Sequence, residues 1–97
     1  MATVHQKHTL TNAGTAYEIL PAIGGSGKDV TIQNNNPAAL VFIGGPGVTN
    51  DDYGFKILPG AAISFEIDGT DPIWAVSSTA GATVNTMRID LEGSYRV

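Results

Sequence analysis

The chain has no cysteine, few charged residues and no long apolar run. Without cysteine, its 97 residues cannot form a disulfide scaffold, a cysteine zinc site, an iron–sulfur cluster or a thiol nucleophile. Charged residues make up 14% and the net charge is −4. Nucleic-acid binding requires a basic stripe, which 5 scattered Lys and Arg residues do not provide, so we expect no nucleic-acid partner. No stretch approaches the ~18 apolar residues of a membrane-spanning helix, so we expect no membrane partner.

A helical pattern is also missing. Every window with apolar residues at i, i+3, i+4 and i+7 is interrupted by glycine or proline, whereas short runs of Val, Ile, Thr, Phe and Tyr recur between turn residues. These runs predict strands at 3–10, 15–20, 29–34, 39–43, 55–58, 61–67, 72–78 and 82–92. The predicted fold class is all-β: a single antiparallel β-sandwich of seven or eight short strands, which also fits a jelly roll.

Alternation within the strands predicts the core. Tyr17 and Ile19 share one face of their strand, as do Val30 and Ile32 of theirs. In strand 61–67 the inward residues are predicted to be Ile63, Phe65 and Ile67. Strands 39–43 and 72–78 are apolar on both faces, which is typical of strands that are covered on both sides.

The last strand changes parity along its length. Val84 has one parity, whereas Met87, Ile89 and Leu91 have the other. One interpretation is a bulge near residues 85–86, because an extra residue reverses the facing of all that follow. The alternative is a regular strand whose two halves bury different faces, one in the core and one in a subunit contact.

Two turns have specific chemistry. Pro59-Gly60 predicts a type II turn, in which proline presets φ and glycine supplies a positive φ. Residues 34–37, Asn-Asn-Asn-Pro, predict another turn, because Asn tolerates a positive φ and Pro blocks further pairing.

The N-terminal residues are polar and have no clear core pattern. We therefore divide the chain into an extended N-terminal arm, 1–10, and a single β-sandwich domain, 11–97. The arm is the candidate contact with another protein, and the residues assigned to that contact are Thr3, Val4, His5, Gln6, Lys7 and His8.

Catalytic and metal-binding patterns are weak. His5 and His8 are three apart, so on a strand they point to opposite faces and cannot bind one ion together. Calcium is the rival interpretation of the acidic turns 51–52 and 68–71, but neither matches a calcium loop, and turn 68–71 offers two carboxylates. A phosphate loop would require Ser or Thr after Gly27-Lys28, where Asp29 stands. We therefore expect no enzyme activity, no metal and no cofactor.

Residues 29–84 carry a resemblance to a known group of proteins. They read Val-Thr-Ile-Gln-Asn at 30–34, Val-Phe-Ile-Gly-Gly at 41–45, Gly-Phe-Lys-Ile-Leu-Pro-Gly at 54–60, Ile-Ser-Phe-Glu-Ile at 63–67 and Ile-Trp-Ala-Val-Ser-Ser at 73–78. This string resembles small β-sandwich virion structural proteins of tailed bacteriophages. That group includes capsid decoration, or cement, proteins, and related domains occur in head fibres and tails.

The resemblance implies a non-enzymatic decoration protein. Such a protein binds the major capsid protein on the outer capsid surface as a homo-oligomer, expected to be a trimer, after assembly in the host cytoplasm. An uncharged surface suits this role because its burial removes few charges from water. The alternative is a tail or fibre module that binds host carbohydrate through Tyr53, Phe55 and Trp74. The competing interpretation of Trp74 is that it packs in the core.

Overall fold

Strands make up the fold. The computed structural model describes residues 2–21, 27–67 and 71–91, and within these ranges it contains no helix that could span a membrane. The eight strands are β1 (Ala2–Leu10), β2 (Tyr17–Leu20), β3 (Gly27–Asn34), β4 (Val41–Gly44), β5 (Phe55–Ile57), β6 (Ala62–Ile67), β7 (Ile73–Ser77) and β8 (Ala82–Leu91). All eight predicted strands are therefore present, with their bounds shifted by a residue or two.

The strands form two four-stranded antiparallel sheets. Sheet I has the order β1-β8-β3-β6, and sheet II has the order β2-β7-β4-β5. Every connection except that from β4 to β5 crosses from one sheet to the other, which is the strand order of a jelly roll. The predicted antiparallel β-sandwich is confirmed.

The main core lies between the sheets. Val30 and Ile32 of β3 are 2% and 0% exposed, as their alternation predicts. In contrast, Ile63 and Phe65 of β6 are half-buried. They lie on an edge strand of sheet I, and β5, the edge strand of sheet II, is only 3 residues long. Both packed faces contribute apolar side chains, as sandwich packing requires.

Sheet II is also covered on its outer face. Phe42 and Val76, which are paired across β4 and β7, pack with Val48 in a second apolar cluster that Trp74 partly joins. The ring of Tyr53 lies 4.8 Å from that of Phe42. The segment between β4 and β5 thus covers this face, which explains why both strands are apolar on both sides.

Strand β2 departs from simple alternation. Its pairing with β7 shifts register between Glu18 and Leu20. Because of this irregularity, Ile19 and Leu20 are both buried, at 1% exposure each, although they are neighbours. Tyr17 packs against the same core from a half-buried position.

The N-terminal segment belongs to the sandwich. Residues 2–10 are extended, as predicted, but β1 pairs with β8 along its whole length, from Ala2↔Asp90 to Leu10↔Ala82. The division into an arm and a separate domain is therefore wrong within the described residues. The polar pattern that suggested an arm reflects an edge strand that is exposed on much of both faces.

Strand β8 contains no bulge. Its register is continuous against β1 and against β3, from Asn34↔Val84 to Gly27↔Leu91. Val84 therefore points into the core, and Met87 and Ile89 point out of the sandwich. The predicted alternative, a regular strand with apolar residues on both faces, describes the geometry.

The two predicted turns have different outcomes. Gly60 has φ 78°, and the amide of Ala61 donates to the carbonyl of Leu58 at 2.9 Å, as a type II turn requires. The expected positive φ in 34–37 is wrong, because every positive φ among the described residues belongs to glycine. Hydrogen bonds from Asn side chains hold that turn instead.

Candidate protein-contact face

Four strands of sheet I present a regular outer face. The register places its side chains in three rows of four, here called the sheet I face, in the strand order β1, β8, β3 and β6. The rows are Lys7, Asn85, Gln33 and Ala62; His5, Met87, Thr31 and Ser64; and Thr3, Ile89, Asp29 and Glu66.

The centre of the sheet I face is uncharged. Met87 is 46% exposed in the middle row, beside half-buried Thr31. The hydroxyls of Thr31 and Ser64 are 2.8 Å apart, and the amide Nδ2 of Asn85 donates to Oε1 of Gln33 at 3.5 Å. The centre thus combines an exposed thioether with neutral polar groups, and burying it against another protein would remove no charge from water.

Charge on the sheet I face is confined to two opposite corners. Lys7 lies at one corner, on β1, with His5 next to it in the middle row. Asp29 and Glu66 pair across β3 and β6 at the diagonally opposite corner. The face therefore has a basic corner, an acidic corner and a neutral band between them.

The predicted contact residues divide between two faces. Thr3, His5 and Lys7 belong to the sheet I face, and all three are exposed. Val4, Gln6 and His8 have the opposite parity and point toward the inner side of sheet I. Three of the predicted contact residues therefore lie along one edge of the sheet I face, and their role in a contact stays a prediction.

The two histidines are separated as their spacing predicts, on opposite faces of β1. His8 is half-buried, and its Nε2 lies 3.3 Å from the hydroxyl of Thr86. Burial lowers the pKa of His8 below its usual value, so the ring favours its neutral form. Within the described residues, no three His, Asp or Glu side chains converge on a common point.

The described acidic turn is organised by hydrogen bonds within the chain. The hydroxyl of Thr49 accepts from the amides of Asp51 and Asp52 at 3.2 and 2.9 Å, and the amide of Thr49 donates to the carbonyl of Asp52. The cap of this turn is thus a threonine hydroxyl that accepts from backbone amides, a common arrangement in turns. Asp68 of the second acidic turn lies outside the described residues.

The aromatic residues proposed for sugar binding do not form one platform. Trp74 pairs with Gly44, whereas Phe55 pairs with the neighbouring Ile43, so Trp74 and Phe55 project from opposite faces of sheet II. Phe55 is 59% exposed and lines an apolar groove of about 500 Å³ that Phe65 also lines. Trp74 packs with the outer cluster that contains Phe42, so no exposed face combines all three rings.

This position predicts the fluorescence of Trp74. The ring is half-buried and its Nε1 is buried, so we expect emission at shorter wavelength than in the unfolded protein, with weak acrylamide quenching. Added sugars should leave the spectrum unchanged. The check is a titration of folded and urea-unfolded protein, and an unfolded-like spectrum or a sugar-dependent shift would contradict this packing.

Buried polar residues were not identified from the sequence, and Lys28 and Asn34 are the largest of those described. Lys28 is 0% exposed, and its Nζ donates to the carbonyls of Pro21 and Asp71 at 3.0 and 2.9 Å. The alternation of β3 could have predicted this burial, because Lys28 has the same parity as the inward-facing Val30 and Ile32. The other residue is Asn34, also 0% exposed, which is the last residue of β3 and lies on the same inward-facing side of the strand.

Comparison with known proteins identifies a similar fold. No family model matches the chain, and no curated protein matches it. A solved structure of a Bacillus endospore appendage protein, from appendages described as a novel family of disulfide-linked pili, matches with a TM-score of 0.57. The match covers 94% of this chain and 87% of that chain at 19% identity. This likeness shows the fold. The 97 residues here contain no cysteine, so the disulfide link of those pili cannot form within or between copies of this chain.

Proposed function

We propose that this chain is a non-enzymatic structural protein that acts by docking the sheet I face on another protein. The observation that carries the proposal is the centre of that face, where Met87 is exposed between His5 and Thr31 and the middle row contains no Lys, Arg, Asp or Glu. Contact surfaces commonly exclude charge from their centres and enrich methionine there. A charged centre would cost several kcal/mol to desolvate, whereas this one loses little on burial.

The finer proposal is a capsid decoration protein. Its basis is the resemblance of residues 29–84 to phage virion proteins, together with a sandwich fold similar to that of a pilus protein. In this role the sheet I face, including Thr3, His5 and Lys7, lies on the outer surface of the major capsid protein. Three copies around a three-fold position would reinforce one another, since each further contact of a linked assembly is intramolecular.

A charge placed at the centre of the face tests the proposal. We expect Met87→Glu to weaken binding to undecorated capsids at least about tenfold, or about 1.4 kcal/mol, because the new carboxylate is buried without a partner. The measurement is capsid occupancy by sedimentation over a concentration series of folded protein. Leu58→Glu is the matched control, since Leu58 is 55% exposed and lies in the turn after β5, outside the three rows of the sheet I face. Equal occupancy by the Met87→Glu variant and the parent protein would contradict the proposal.

A further inference from the structure

The sheet I face is complementary to itself. We propose that two copies of the free protein pair through this face about a two-fold axis, with their strands crossing nearly at right angles. The inference rests on the proposed function in that it assigns a second partner to the same docking face. In that arrangement a capsid protein and a second copy compete for the face.

The opposite charges of the sheet I face lie far apart within one copy. Lys7 and Glu66 lie three strand spacings apart across sheet I, which is about 14 Å, and four residues apart along it, which is about 13 Å. They are therefore about 19 Å apart along the diagonal. Opposite charges at this distance in water interact weakly within one copy, so they are available to a second copy.

Four two-fold axes in the plane of the face could relate two such faces. An axis parallel to the strands places Lys7 over Ala62 of the second copy, and an axis across the strands places it over Thr3. An axis along the charge diagonal places Lys7 over Lys7, which is repulsive. An axis perpendicular to that diagonal places Lys7 over Glu66 of the second copy, and this contact occurs twice in an isologous pair.

The same axis brings the remaining groups into register. His5 of one copy then lies near Asp29 of the other, where an imidazole N–H can donate to the carboxylate. Met87 of one copy lies close to Met87 of the other near the axis, so the two exposed side chains can make an apolar contact. Because the axis runs at about 45° to the strands, the two sheets cross at about 90°, which is one of the two preferred angles for packed sheets.

The size of the face sets the expected strength. Three rows across four strands, with their side-chain margins, cover about 400 Å² per copy, so a pair buries about 800 Å². Stable specific interfaces bury at least about 1,200 Å². We therefore expect a reversible pair with a dissociation constant of tens to hundreds of micromolar, which a multivalent capsid surface would displace.

Charge exchange tests the pairing. We expect sedimentation velocity at low salt, up to about 0.5 mM protein, to show a monomer–dimer equilibrium for the parent protein. Lys7→Glu and Glu66→Lys should each weaken it about tenfold, because each creates two like-charge contacts. The variant that carries both substitutions restores both attractive contacts and should dimerise like the parent. Added salt should weaken the dimers of the parent and of the double variant.

Control variants separate this inference from the proposed function. Lys56→Glu and Glu18→Lys make equal changes in charge at exposed positions of sheet II and should leave dimerisation unchanged. A parent protein that stays monomeric, or a double variant that fails to recover, would overturn the pairing. Capsid occupancy measured separately shows whether the docking role stands: a monomer that occupies capsids overturns the pairing alone, and a charge-dependent dimer without occupancy overturns the capsid role alone.

Discussion

Replacing Lys28 by alanine is expected to lower the free energy of unfolding by about 4 kcal/mol. Truncating a fully buried long side chain typically costs about 2–5 kcal/mol through the cavity that remains. The carbonyls of Pro21 and Asp71 also lose the donor that Nζ supplies, at about 1–3 kcal/mol for each group left without a partner. Part of this loss is offset because the variant no longer buries an ammonium group.

Two further variants separate these contributions. Lys28→Met keeps most of the volume but removes the hydrogen bonds that Nζ donates, so we expect a loss of about 2 kcal/mol. Lys56→Ala is the matched control at an exposed position of β5 and should stay within about 0.5 kcal/mol of the parent protein. Urea unfolding followed by circular dichroism measures all three, and a parent-like midpoint for Lys28→Ala would contradict the burial of this side chain.

A loss of this size matters because the domain is small. Domains of this length have total stabilities of about 5–15 kcal/mol. Lys28 ties the end of β2, at Pro21, and the start of β7, near Asp71, to β3. The side chain of Lys28 thus links two strands of sheet II to sheet I at one end of the sandwich.

The sequence predicts those features that depend on neighbouring residues. Strand alternation is local, so Val30 and Ile32 identify the inner face of β3 without any knowledge of its partners. A turn such as Pro59-Gly60 is equally local, because backbone conformation at Gly60 decides it. These signals are enough to predict the all-β class and all eight strands.

Features that depend on strand order are not predictable in this way. The parity change in β8 fits both a bulge and a regular two-faced strand until its pairing with β1 and β3 is known. The candidate face is also not predictable without the strand order. His5 lies beside Met87, and Met87 beside Thr31, only because distant segments pair in the order β1-β8-β3-β6.

Polar residues mislead the sequence prediction for a related reason. The pattern of β1 reads as an arm because an edge strand has few buried positions, yet all of β1 is paired. Asn34 reads as a residue chosen for its backbone freedom, whereas its backbone is ordinary and its side chain is buried. In both positions the partners, which lie far away in sequence, determine the role of the residue.

Replacing Asn34 by alanine is expected to cost about 3–4 kcal/mol of stability. Its Nδ2 donates to the carbonyls of Ala39 and Ile57 at 2.8 Å each, and its Oδ1 accepts from the backbone and side-chain amides of Asn36 at 3.1 and 2.6 Å. Alanine leaves these buried groups without their partner, at about 1–3 kcal/mol for each that finds no substitute. Because the bonded segments belong to both sheets, the loss should appear as a lower midpoint of one cooperative transition.

The neighbouring residue supplies the control. Asn35 is exposed, so Asn35→Ala should stay within about 0.5 kcal/mol of the parent protein, although it makes the same chemical change one position away. Asn34→Asp preserves the shape and the acceptor oxygen at Oδ1, but at neutral pH its second oxygen cannot donate to Ala39 and Ile57, and it places a carboxylate against their carbonyls. We therefore expect Asn34→Asp to be at least as destabilising as Asn34→Ala at pH 7. It should recover partly as the pH falls toward 4, where a protonated carboxyl can donate one hydrogen bond. Similar urea midpoints for Asn34→Ala and Asn35→Ala would show that the buried amide network does not hold the two sheets together.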